Sequence, residues 1–389
     1  MLTFAKTFLA VTLGASLAHA VCEIPRGNEG SGFDENNKKA CIAQASFVLA
    51  PPDLSKPENL YELVNPNMRT LSILNNSTIY CRYVYQDQNG QSAKFRCLRT
   101  NERNELLDRK GNIVSTEADA DEMKVRYHFN HDLRNSENYT STAASRILFA
   151  LGVPAHTNIM TNQVVCLGCG PHPFEQKKVE NMTTAFRDAA IEMKFEGKRM
   201  YDPTQSPWSW DDLKNMSSTF SPEQKLQIDM MALANHLLGY TSDKSFQNAI
   251  VCTEKDKANE NICAQSVVMT HDIGAAFGRR KSGLFAGVFG DNPRGDIGAF
   301  EKATVFKSGS CDFAYSGGSL PKSVSAAGRD AFYARARTLT PQILTTIFNS
   351  SHMGNLGTNG TPAEATDRTG RWVNAVLKKL EEIRTAPCR

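Results

Sequence analysis

At 389 residues, 41% hydrophobic and 22% charged, the chain is long enough for two domains or one two-lobed unit, and its composition argues against disorder or a fibre. The 44 Lys+Arg against 41 Asp+Glu leave a formal charge of +3, which argues against nucleic acid as a partner. No apolar run reaches bilayer-spanning length, so no transmembrane segment is expected after leader cleavage.

Residues 1–20 predict that leader. Lys6 supplies the positive start, Thr7 to Ala18 the short apolar core, and Ala18-His19-Ala20 a small-x-small cleavage site, with the cut after Ala20. The expected location is therefore periplasmic or secreted.

All ten cysteines follow the leader, and an even count in an exported chain favours disulfides. Counting leaves the connectivity open, but local geometry suggests pairs. Cys81 and Cys97 flank the Asn89-Gly90 turn, and Cys252 and Cys263 bracket a polar loop. Cys22 with Cys41 and Cys311 with Cys388 remain. Cys166 and Cys169 form a lone CxxC followed by His172; without a second close pair, a small disulfide or two outward bridges is favoured over zinc.

Residues 21–75 read as an irregular extension held by Cys22 and Cys41. A β-rich lobe is expected over 76–165. Ile79 to Tyr85 and Lys94 to Leu98 read as paired strands, and Met123 to Tyr127 alternates as a third. A helix capped at Asn135 or Ser136 carries Ala144, Ile147, Leu148 and Leu151 at helical spacing and ends at Gly152. Residues 157–166 are extended again.

The remainder, 166–389, reads as mainly helical. Trp208 and Trp210 are expected to anchor this part beneath a helix that starts at Ser221-Pro222-Glu223-Gln224, a cap, a first-turn proline and a capping-box partner. Two short strands surround the Cys252/Cys263 loop. A last helix carries Trp372, Val373, Val376, Leu380 and Ile383 on one side. The expected class is α+β in two lobes: a small antiparallel sheet with one helix, then a helical lobe.

The chemistry lies in 236–278. Asp243 and Asn248 are separated by four residues, and Asp272-Ile273-Gly274 follows two strands. Phosphoryl transfer from ATP needs such a set: a carboxylate on the attacking hydroxyl, and an Asn and a second Asp on Mg²⁺. Lys124 on a strand followed by Glu137 in a helix's first turn supplies the phosphate-clamp pair, with Lys94 as a rival for the lysine.

The segments HLLGYTSDKSFQN and HDIGAAFG resemble the catalytic and metal loops of phosphatidylinositol 3- and 4-kinases. HDLRNSENYTSTAASRILFALG resembles the start of a helix in the same enzymes. The motif order is also similar to that of secreted bacterial proteins of kinase-like fold, and the broader architecture to HipA-type, secreted and spore-coat kinases. The resemblance covers about residues 78–280. Lys244-Ser245 stands where that family has Arg-His, and Ile273 where it has Phe. It implies a protein-kinase-like fold, with Asp243 as catalytic base, Asn248 and Asp272 as metal ligands, and Lys124 with Glu137 binding nucleotide.

Two functional readings follow. The first is an exported phosphotransferase moving a phosphoryl group from Mg²⁺-bound ATP to a protein, lipid or small-molecule hydroxyl. The second is a catalytically inactive, pseudokinase-type binding or structural protein on the same fold. The basic run Arg279-Arg280-Lys281 follows the metal loop, where a substrate would approach.

Overall fold

The structure, a computed structural model, describes residues 21–25, 33–55, 77–85, 93–127, 136–174, 179–193, 195, 197–200, 206–240, 245, 248–270, 273–278, 295–315, 320–356 and 362–388. The leader, the Asn89-Gly90 turn, Asp243, Asp272 and the Arg279-Arg280-Lys281 run lie outside them.

The extension expected to be irregular contains a helix, α1 (Glu35–Ala43). The Asp34 side chain caps it by accepting from the Asn37 amide at 2.8 Å. Its buried residues include Asn37 and Lys38, so it presents no apolar stripe to read. Lys38 is held instead by Glu35 at 2.8 Å and Asp212 at 3.2 Å.

A seven-stranded sheet follows: β1 (Thr78–Val84), β2 (Lys94–Thr100), β3 (Glu122–Arg126), β4 (Thr157–Met160), β5 (Gln163–Leu167), β6 (Thr183–Arg187) and β7 (Ala190–Met193), in the order β4-β7-β3-β2-β1-β5-β6. Every pairing is antiparallel except β1 with β5, which is parallel. The sheet therefore runs on to Met193, past the residue 165 at which the sequence reading closes the β-rich part. β6 is a short edge strand with one buried residue, which leaves little alternation to detect.

Period-two alternation gives the sheet two unlike faces. One buries Ile79, Tyr83, Phe95, Val125, Val164 and Phe186 in an aromatic core, with Phe95 and Phe186 ring centroids 5.0 Å apart. The Cys166–Phe174 segment meets this core: Tyr83 donates its hydroxyl to the Pro173 carbonyl, and the Phe174 amide donates to the Tyr127 hydroxyl. The other face carries Lys94, Arg96, Lys124, Arg126 and Glu192, and α2 (Glu137–Ala150) packs over its β7-β4 end.

A three-stranded sheet orders β10 (Cys263–Met269), β9 (Ala249–Lys255) and β8 (Lys198–Met200). The helical part comprises α3 (Trp210–Asn215), α4 (Pro222–Leu237), α5 (Ile297–Lys302), α6 (Ala326–Ala336), α7 (Pro341–Ser350) and α8 (Pro362–Thr385). The Ser221–Gln224 capping box is formed in both directions. Phe277, Phe300, Phe348 and Trp372 pack edge to face or tilted in a large core that also includes α2 residues such as Ala144 and Ile147. The class is α+β, sheet-rich first and mainly helical after.

Five disulfides join Cys22–Cys41, Cys81–Cys97, Cys166–Cys169, Cys252–Cys263 and Cys311–Cys388. Among the described residues no helix is long and apolar enough to cross a membrane. The five disulfides suit an extracytoplasmic protein.

Candidate functional site

The site is built where the polar sheet face, the first turn of α2 and the segment after β10 meet. On β3, Lys124 and Arg126 are two residues apart and so project to the same side. The register sets Lys124 opposite Glu192 on β7. Glu137 opens α2, where a carboxylate is favoured by the helix dipole.

These four side chains form one charged network. The Arg126 guanidinium donates through Nη1 to Glu137 Oε2 at 2.6 Å and through Nη2 to Glu192 Oε2 at 3.0 Å. Lys124 Nζ donates to the same Glu192 oxygen at 2.8 Å. Arg126 and Glu137 side chains are 6% and 4% exposed, while Lys124 at 18% is the most open member. Charges buried this deeply persist only when paired, and here two cations face two carboxylates. Lys124 and Glu137 thus belong to one network, linked through Glu192 and Arg126. Lys94, the rival lysine, lies opposite Arg126 on β2, with its amine 6.0 Å from the centre of the Phe174 ring.

Gly274 closes the network from the other side. A Cβ there would lie 3.0 Å from both Cγ and Cδ of Glu137, and the Gly274 carbonyl accepts from Thr140 Oγ1 at 2.9 Å. The Ile273–Ala275 turn is therefore seated on the first turns of α2.

The β9–β10 hairpin places Asn248 beside Thr270, three residues before Ile273. Ala249 pairs with Met269, so Asn248 and Thr270 flank one end of the hairpin, and the Cys252–Cys263 bridge ties its strands together further along. Asn248 is buried and its side-chain amide donates to the Trp208 carbonyl at 3.1 Å. Trp208 in turn donates its indole N–H to the Met269 carbonyl at 3.1 Å and packs edge-on to Trp210. The tryptophan pair thus fixes the Asn248 end of the hairpin.

Sequence reasoning missed Arg126 and Glu192. Arg126 was within reach of it, since residues i and i+2 of a strand share a face. Glu192 was not, because it is 68 residues from Lys124 and reaches it only through the β3–β7 register.

No protein-family model and no curated protein sequence matches the chain. Among solved structures it is similar to a Helicobacter pylori proinflammatory kinase, CtkA, at 10% identity and a TM-score of 0.37, over 80% of this chain and 97% of that one. It is also similar to a Golgi casein kinase with Mn/ADP bound, at 11% identity and a TM-score of 0.31, over 79% and 73% of the two chains. A third likeness is to HipA of the Shewanella oneidensis toxin–antitoxin system, solved with HipB and operator DNA, at 12% identity and a TM-score of 0.31, over 76% and 65%. At such scores the chemistry of this chain is left to its own residues.

Proposed function

We propose that the protein is an exported phosphotransferase of two-lobed, kinase-like architecture that takes a phosphoryl group from a Mg²⁺-bound nucleotide. The observation that carries this reading is the seating of Gly274 against Glu137 beside the Lys124/Arg126 cations. Phosphoryl transfer needs cations on the phosphates, a carboxylate that positions them, and a metal-binding loop next to both. Lys124 and Arg126 on a strand, Glu137 on a helix and Gly274 after a hairpin support this reading.

In this reading Lys124 neutralises the phosphates, and Arg126 and Glu137 hold the sheet and α2 in register. Asn248 and Asp272 would hold Mg²⁺, which supplies charge neutralisation on the phosphate oxygens. The donor chemistry fits a hard cation: the Asn248 amide nitrogen donates to the Trp208 carbonyl, so its Oδ1 is the atom that would meet the metal. Among the described residues no group of three His, Cys, Asp or Glu side chains could hold an ion alone. Mg²⁺ takes few protein carboxylates and completes its shell with phosphate oxygens and water. Asp243 accepts the proton of the acceptor hydroxyl.

The test is nucleotide binding by the oxidised full chain. ATP with Mg²⁺ is expected to raise the melting temperature in proportion to log ligand concentration. Absence of binding with both Mg²⁺ and Mn²⁺ in correctly oxidised protein would replace this reading with the inactive kinase-like binding protein.

A further inference from the structure

We infer that Glu192 is the internal counter-anion of the phosphate site, and that the ligand it holds off until displaced is a polyphosphate. The inference rests on the nucleotide reading above and concerns how that site is regulated.

Glu192 places one carboxylate oxygen between two cations, 2.8 Å from Lys124 Nζ and 3.0 Å from Arg126 Nη2. It is only 9% exposed, so these contacts are little screened by solvent. The two carboxylates of the network are not equivalent. Glu137 is hemmed in by Gly274 and lies in the first turn of α2, so it stays with Arg126. Glu192 is the carboxylate that faces Lys124, the more exposed of the two cations. An anion reaching Lys124 must compete with Glu192 for the ammonium charge.

That competition selects by charge. A singly charged group offers Lys124 no more than Glu192 already does. A triphosphate brings several negative charges and acceptor oxygens, and its metal ion offsets its repulsion from the displaced carboxylate. Replacing Glu192 by Gln keeps the shape and one acceptor oxygen but removes one negative charge from beside Lys124 and Arg126, which favours an anion. A purely structural Glu192 would give the opposite result, since its loss would only loosen the site.

The experiment titrates inorganic triphosphate, and separately ATP with Mg²⁺, into oxidised wild type and Glu192→Gln. The variant is expected to bind triphosphate about tenfold more tightly, the scale of one charge-assisted contact. The gain should vanish in the Glu192→Gln/Lys124→Gln double variant. Glu192→Asp, which withdraws the carboxylate by one methylene, serves if the Gln variant does not fold, and should shift affinity the same way by less. Wild type that binds ATP while the folded variant binds triphosphate no more tightly overturns this inference and leaves the nucleotide reading standing. Failure of both proteins to bind either ligand overturns both.

Discussion

Arg126 and Glu137 make a buried ion pair, 2.6 Å between Nη1 and Oε2, that ties the third strand of the large sheet to the first turn of the helix packed over it. Both side chains are almost wholly removed from solvent, and the same guanidinium also reaches Glu192 at 3.0 Å. A single residue therefore holds two carboxylates that belong to different elements. Removing it takes a buried partner from each carboxylate, while Glu192 keeps Lys124 at 2.8 Å.

Arg126→Ala should accordingly be among the most damaging single substitutions in the sheet. Breaking a buried pair by deleting one partner costs about 3–5 kcal/mol, because the remaining charge stays desolvated. Urea denaturation of the oxidised protein measures it. A loss below about 1 kcal/mol, the scale of exposed pairs, would show that the network is solvated in solution.

Asp272→Ala and Asp243→Ala should separate in a paired assay. Loss of Asp272 removes a metal carboxylate and is expected to abolish Mg²⁺-dependent nucleotide binding. Loss of Asp243 should leave binding nearly intact and lower turnover by about 10²–10⁴-fold, the range of general acid–base contributions. Equal loss of binding in both would remove the assignment of separate roles.

Gly274→Ala tests the seating of the hairpin segment on α2 without altering a charge. The added methyl would meet Glu137 at 3.0 Å, and the Glu137 carboxylate is held by Arg126 and cannot swing away freely. Nucleotide affinity is expected to fall about tenfold or more, while stability changes by roughly 1–3 kcal/mol, the cost of overpacking. Unchanged affinity would separate Gly274 from the site.

His236 predicts an acid-limb signature. It is buried at the end of α4, stacked on Phe313 with ring centroids 3.6 Å apart, and burial pushes its imidazole down to about 3. The unfolded chain takes up this proton near pH 6.5 and the folded chain does not until about pH 3. Stability from this group is therefore present above pH 6.5 and falls by roughly 1.4 kcal/mol per pH unit as pH drops through that window. Between pH 7 and 5 wild type should lose about 2 kcal/mol more than His236→Phe, which keeps a planar ring and cannot titrate. Parallel pH profiles for the two proteins would place the imidazole in solvent.

The ten-cysteine framework predicts no free thiol under denaturing, non-reducing conditions, since the structure joins all ten. Replacing Cys252 and Cys263 together by Ser should cost roughly 3 kcal/mol in the chain-entropy model, concentrated in the β9–β10 hairpin. Hydrogen exchange of the β9 and β10 amides would locate the loss.

What the sequence by itself determined is local. Period-two alternation placed β1, β2 and β3, and the cap, proline and glutamine at Ser221–Gln224 placed the start of α4. Short-range cysteine spacing suggested Cys81–Cys97 and Cys252–Cys263, because each pair brackets a single turn. Alternation also puts Lys124 and Arg126 on one face. It says nothing of which strand lies alongside, and that is what the tertiary structure decided. The β3–β7 register delivers Glu192 to Lys124, and the packing of α2 delivers Glu137 to Arg126. α1 escaped detection for the same reason: its buried Lys38 is stabilised by Asp212, a residue 174 positions away. Side-chain direction follows from neighbouring residues in the chain, but the partner of a buried charge follows from which elements pack together, and that is a property of the whole fold.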